Sequence, residues 1–132
     1  MEPEDVVHAL RHLLPALVPG GRIVDLASVP PNGVVEAGDV ALGNLDESAF
    51  FPRADASAAA LDALVAEGVL TLDSQERFPV LIRYPSGADA VADVAQRTYG
   101  HMPGELAATV AAISGPVSIR ETSAVRAFTR QK

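Results

Sequence analysis

The stretch Leu13-Leu14-Pro15-Ala16-Leu17-Val18-Pro19-Gly20-Gly21-Arg22-Ile23-Val24-Asp25-Leu26 constrains the fold more than any other part of the chain. It reads as the end of a helix, a tight Pro-Gly-Gly turn and a buried strand. Upstream, Pro3, Glu4 and Asp5 suit a first helical turn, where Pro loses no hydrogen bond and acids meet the positive end of the dipole. Val6, Leu10, Leu13, Leu14 and Leu17 recur at helical spacing and form an apolar stripe. Pro15 ends or kinks that helix. Gly20-Gly21 reverses the chain, and Arg22 to Val29, rich in branched residues, predicts a strand.

The rest of the sequence alternates helix and strand signals. Pro30-Pro31-Asn32-Gly33 has loop composition. Residues 33–36 and 39–43 flank Ala37-Gly38 and predict a small hairpin. Arg53 to Glu67 is Ala-rich and predicts a helix that buries Leu61, Leu64 and Val65, with Gly68 as a left-handed cap. Val69 to Tyr84 reads as extended, with Phe78, Val80, Ile82 and Tyr84 on one face. Asp73-Ser74-Gln75-Glu76 marks a turn or bulge within it. Ser86, with Asp89 three residues on, caps a helix running to about Arg97. Thr98-Tyr99-Gly100-His101 is a connector. Pro103 starts another helix that ends near Ser114-Gly115. Val117 to Thr129 alternates and predicts a long strand. The order points to an α/β sandwich in which the last two strands are antiparallel to each other.

At 132 residues, 48% of them hydrophobic, the chain predicts one ordered domain over residues 1–132. No Cys is present, which excludes disulfides, zinc–thiolate sites and thiol nucleophiles. A net charge of −7 argues against nucleic acid and anionic membrane as partners. No apolar run is long enough for a membrane span, and the acidic start Met1-Glu2-Pro3-Glu4-Asp5 argues against a signal peptide. These features predict a cytoplasmic protein.

Leu17-Val18-Pro19-Gly20-Gly21-Arg22 resembles the turn into the fifth strand of class I S-adenosylmethionine-dependent methyltransferases. Leu64-Val65-Ala66-Glu67-Gly68-Val69-Leu70 resembles the helix end that leads to their sixth strand, and Val117 to Thr129 their last strand. The resemblance covers the C-terminal half of that family. It implies a partial Rossmann-like α/β fold: a mixed sheet of about three main strands plus a small hairpin, packed with four helices. The family's cofactor site lies in its N-terminal half. This sequence has no Gly-x-Gly-x-Gly, so no cofactor-binding residue carries over. The resemblance therefore implies no cofactor bound by this chain alone, and S-adenosylmethionine only with a complementary half. It implies a non-catalytic binding or assembly module. The alternatives are the substrate-side subunit of a split methyltransferase, or a small stand-alone enzyme using the 44–51 loop. Family substrate contacts would fall roughly over residues 29–51. An apolar strand at 22–29 would lie at a sheet edge. It invites a homodimer or a complementary methyltransferase-like chain, unless the hairpin folds back to cover it.

The candidate pocket residues are Asp46, Glu47, Phe50, Phe51, Tyr99 and His101; no catalytic residue is assigned. Asp46 and Glu47 suit a carboxylate at a pocket mouth for a small molecule, with Phe50 and Phe51 as its apolar wall. Equally, Asp46 or Ser48 caps a short turn that the Phe pair anchors. Tyr99 and His101 sit in a Gly-containing connector, either lining that pocket or packing over the sheet. His8 and His12 share a helix face at a spacing that can bind metal. With no third ligand placed by any motif, they read as exposed histidines and no metal site is predicted. Asp25 reads as a solvent-facing or backbone-bonded carboxylate; buried, it would need a partner and have a raised pKa. Arg83, Arg120, Glu121 and Arg126 read as cross-strand ion pairs.

Overall fold

The Pro30-Pro31 pair, read above as a loop, lies inside a strand. A computed structural model describes residues 3–131, without the side chains of Pro3, Glu4, Val6 and Val7. In chain order the elements are α1 (Pro3–Ala16), β1 (Arg22–Ala37), β2 (Val40–Asn44), α2 (Phe51–Ala66), β3 (Leu70–Tyr84), α3 (Gly87–Ala95), α4 (Gly104–Ala111) and β4 (Val117–Arg130). β1 runs straight through the prolines, and the bond between them is cis. The reason is positional. β2 pairs only with Val34 to Ala37, so neither Pro is asked for an N–H in that ladder. The turn of the β1–β2 hairpin is Gly38-Asp39, one residue later than expected, because Ala37 pairs with Val40 and Gly38 supplies the positive φ of 60°.

The four strands form an open antiparallel sheet in the order β2-β1-β4-β3. The expectation of a mixed sheet is thereby corrected. A mixed sheet needs parallel neighbours joined by crossovers, whereas β1 and β2 join through a two-residue turn. The expected pairing of the last two strands holds, since β3 and β4 are neighbours. β3 is continuous through Asp73-Ser74-Gln75-Glu76, with no turn there.

By contacts the chain divides into two compact units. The first comprises residues 1–27, 52–77 and 124–132. Its core is Leu61, Leu70 and Phe128, with Leu10, Leu14, Ile23, Leu64 and Val65 packed on it. Leu61, Leu64 and Val65 thus do what their spacing predicts. Of the α1 stripe, Leu10 and Leu14 face this core while Leu13 is exposed; Val6 lies outside the described side chains. Gly20 and Gly68 take the left-handed conformations expected of the turn and the cap, at φ 84° and 78°. Gly20 N–H donates to the Arg130 carbonyl (2.9 Å), and Arg130 N–H returns a bond to the Gly21 carbonyl (2.8 Å). The turn is thus stitched to the end of β4. The Arg130 guanidinium also donates to the Leu14 and Leu17 carbonyls at the end of α1. Arg126 sits over the Phe128 ring, 5.1 Å from its centre, and pairs with Asp62 (2.6 Å) and the half-buried Asp25 (3.8 Å).

The second unit comprises residues 28–51 and 78–123. Its core is Val35, Leu45, Ala90, Val94, Leu106, Val110, Val117 and Ile119. Ser86 caps α3 as predicted, accepting from Asp89 N–H (3.3 Å). α4 packs on α3 and on β2. Gly87 lets α3 and α4 approach. A β-carbon there would collide with the Val110 carbonyl, while its N–H donates to the Ile113 carbonyl (2.9 Å). In this unit the core positions of β4 are odd-numbered (Val117, Ile119), whereas in the first unit the core residue of β4 is Phe128. The predicted alternation holds through the buried Val117, Ile119, Ser123 and Ala127, and Phe128 is buried in addition at an even-numbered position. Val80, Ile82 and Tyr84 are half-buried on one face of β3, but Phe78 is exposed.

Candidate functional site

The second unit brings together two of the segments singled out in the sequence. The loop after β2 and the connector after α3 are joined by a reciprocal backbone pair. Asp46 N–H donates to the His101 carbonyl (2.8 Å), and His101 N–H donates to the Asp46 carbonyl (3.0 Å). His101 Nε2 lies 3.6 Å from Asp46 Oδ2, an ion pair whenever the imidazole is protonated. The other carboxylate oxygen of Asp46 accepts from both the Ser48 hydroxyl (2.6 Å) and the Ser48 N–H (3.0 Å). Asp46 is therefore the turn cap. These two bonds, with a smaller contribution from His101, hold its pKa below the usual value of 3.8.

Glu47 is nearly inaccessible, 6% exposed. Its Oε1 accepts from Gly33 N–H at 2.7 Å, while its own N–H donates to Asn32 Oδ1 at 3.2 Å. Leu45 N–H donates to the Gly33 carbonyl (2.8 Å). The loop thus continues along β1 where β2 stops, and Asn32-Gly33 serve as its anchor. Gly33 has little room to spare, because a β-carbon there would meet Glu47 Oε1, Leu45 and Glu121 at 3.2–3.3 Å.

A pocket of about 340 Å³ opens beside this anchor. It is lined by Ser28, Glu47, Phe50, Gln96, Arg97, Thr98, Tyr99 and Gly100. Of the predicted site residues, Glu47, Phe50 and Tyr99 line it. Asp46 and His101 tie its two walls together. Phe51 does not line it; it stacks edge-on against Phe50, with ring centres 5.8 Å apart. Phe50 and Phe51 N–H both donate to the Glu47 carbonyl (2.9 and 3.2 Å), which closes the turn that carries them.

Arg97 and Ser28 were not singled out from the sequence. Ser28 carries no signal there, being one of many small residues in a strand. Arg97 did carry one: it is the cation just after the end of α3, two residues before Tyr99. Its guanidinium donates to Glu121 Oε1 at 2.6 Å and is 26% exposed. Burial works against its charge. Glu121, then the Tyr84 and Glu47 charges, outweigh burial and leave its pKa raised. Tyr84 O–H donates to Asp93 Oδ2 (2.5 Å). Burial first, and this bond second, push its phenol up to about 12. Arg120 pairs with Glu36 (2.9 Å). Of the residues expected to form cross-strand ion pairs, Arg120 and Arg126 pair with Glu36 and Asp25 on β1, and Arg126 also with Asp62 on α2, while Glu121 pairs with Arg97, which lies on no strand.

Among the described residues, no group of three or more His, Cys, Asp or Glu side chains is placed to hold a metal ion. His12 Nδ1–H donates to the His8 carbonyl (3.1 Å), and the two rings lie 4.3 Å apart on the exposed side of α1. No described helix is long and apolar enough to cross a membrane. Comparison with protein-family models, with curated proteins and with solved structures finds no match to the chain.

Proposed function

We propose that the protein is a binding module whose ligand is a small molecule held in the pocket of the second unit. One observation carries this reading. Two segments far apart in sequence, 45–51 and 96–101, are fastened to each other by a backbone bridge. They wall a 340 Å³ space with two aromatic rings and a buried carboxylate. Pockets of this size that combine apolar walls with a few fixed polar groups are the usual form of a small-molecule site, and this one is lined by polar groups almost as much as by apolar ones. The polar groups are already satisfied by the protein, Glu47 by Gly33 and Arg97 by Glu121. Such groups orient a ligand more readily than they move protons, so the reading is non-catalytic. An amide-resolved NMR screen of small polar aromatic compounds tests it. Shifts confined to residues 46–51 and 96–101 are expected. A screen in which no compound moves those amides would count against the reading.

A second reading, assembly through β1, is favoured by the short β2 ladder, which leaves Arg22 to Val29 outside it. In this reading the partner is a second copy or a complementary chain. The methyltransferase ancestry is proposed on the Pro-Gly-Gly turn and the helix end at 64–70 alone, with the partial Rossmann-like fold it implies. The antiparallel sheet lends it no support. Under that ancestry a complementary chain would bring S-adenosylmethionine. Calorimetric titration with S-adenosylmethionine is expected to give no saturable heat from this chain alone.

A further inference from the structure

We infer that His8 and His12 on α1 form a two-nitrogen chelating site for a divalent first-row transition ion, Cu2+ foremost. The site belongs to the first unit and is independent of the pocket reading. It rests on geometry that the sequence spacing alone does not supply. Leu10 and Leu14 face the core of the first unit, while His8 and His12 are both exposed. Residues four apart on a helix share a face. Here the two rings come to 4.3 Å between centres, tilted by 49°. Two imidazoles that share one metal at about 2.0–2.1 Å per nitrogen bring their ring centres to about 4.5–5 Å, close to where these already stand.

A hydrogen bond sets the chemistry of one ring. His12 Nδ1–H donates to the His8 carbonyl at 3.1 Å. A neutral imidazole that donates through Nδ1 carries its free lone pair on Nε2. Metal-binding histidines are held in this way, one nitrogen bonded to a carbonyl or carboxylate and the other left for the ion. The donor type then selects the metal. Imidazole nitrogen suits Cu2+, Ni2+ and Zn2+, whereas Mg2+ and Ca2+ seek oxygen, and Cu2+ binds such sites most tightly of the divalent series. Asp5, exposed three residues before His8, and the net charge of −7 favour a cation at this helix. Among the described residues no third metal-binding side chain joins the pair. The remaining positions of the ion therefore stay open to water or a small chelator, which makes this a docking point for an exchangeable ion and not a closed structural centre.

The test is a titration of the intact chain with Cu2+ capped by iminodiacetate, a chelator that leaves room for two histidines. Electron paramagnetic resonance reads the outcome, since each bound imidazole couples its nitrogen to the copper electron. One saturable site with two imidazole nitrogens is expected. His8→Gln and His12→Gln place a good helix former at an exposed position. Each should weaken binding about tenfold or more and leave a single nitrogen, because the second contact of a chelate is intramolecular. Excess Zn2+ should displace the copper and excess Mg2+ should not. A spectrum of the parent chain with one imidazole nitrogen would overturn the chelate. Binding that neither substitution weakens, or displacement by Mg2+, would place the copper elsewhere on the chain and overturn it too. The absence of any saturable copper signal would end the inference and leave the pocket reading untouched.

Discussion

Two carboxylates adjacent in sequence have opposite fates in this protein. Asp46 is satisfied locally by Ser48, two residues away, an arrangement that any short polar turn provides. Glu47 is satisfied by Asn32 and Gly33, some fifteen residues upstream, and is buried as a result. The first contact is legible in the sequence, because Asp and Ser at that spacing close a turn by themselves. The second is not, because it depends on where β1 runs. Tyr84 is a further case of a property set by tertiary placement. Burial, and after it the bond to Asp93, favour the neutral form and push its phenol from the ordinary 10.0 up to about 12. A raised pKa in the folded state contributes stability that is complete below pH 10 and is lost as pH rises towards 12. An alkaline titration should therefore show a delayed phenolate component, and Tyr84→Phe should remove it. A titration with no delayed component, or one that Tyr84→Phe leaves in place, would contradict the burial of Tyr84.

Among the elements, the helices were the most legible. α2, α3 and α4 lie within a few residues of where apolar spacing, the Ser86 cap and Pro103 put them, because those signals act within one or two turns. The strands were less so. Pro30-Pro31 reads as a break by composition. A strand tolerates Pro wherever a ladder does not call on its N–H, and that depends on a neighbour no local pattern reveals. The first arm of the predicted hairpin and the predicted strand before it proved to be one strand for the same reason. Gly87 shows the reverse limit, a local residue with a long-range reason. It looks like an ordinary residue in the first turn of α3, yet it is where α3 and α4 touch. Gly87→Ala must push the Val110 carbonyl away or tilt α3, and is expected to cost about 3 kcal/mol or more. Denaturant unfolding should show a marked fall in midpoint. Ala substitution at Gly104, where nothing stands within 4 Å, should leave stability nearly unchanged.

For the molecule as a whole, the exposed apolar residues fall unevenly. Val24 and Leu26 on β1 are each 66% exposed, on strand positions alternating with Ile23, which faces the core of the first unit. If β1 recruits a second copy along this stretch, light scattering should report a mass that rises with concentration. Val24→Lys should return it to that of one chain, since a charge at an open strand discourages pairing and an exposed position tolerates it. A mass of one chain at every concentration would remove the assembly reading and leave the pocket reading untouched.

The outermost strand on the other side, β3, carries a consequence of its own. From Thr71 to Pro79 every residue is exposed, and the run Asp73-Ser74-Gln75-Glu76-Arg77 puts three charges on it. Pro79 follows with no N–H to donate. A stranger strand arriving here would strand those charges and find a gap in the row of donors. The sheet is thus closed to growth on its β3 side by chemistry alone. Fibre-like stacking would need two permissive edges, and this chain offers at most one. Any self-association it undergoes should therefore stop at a pair.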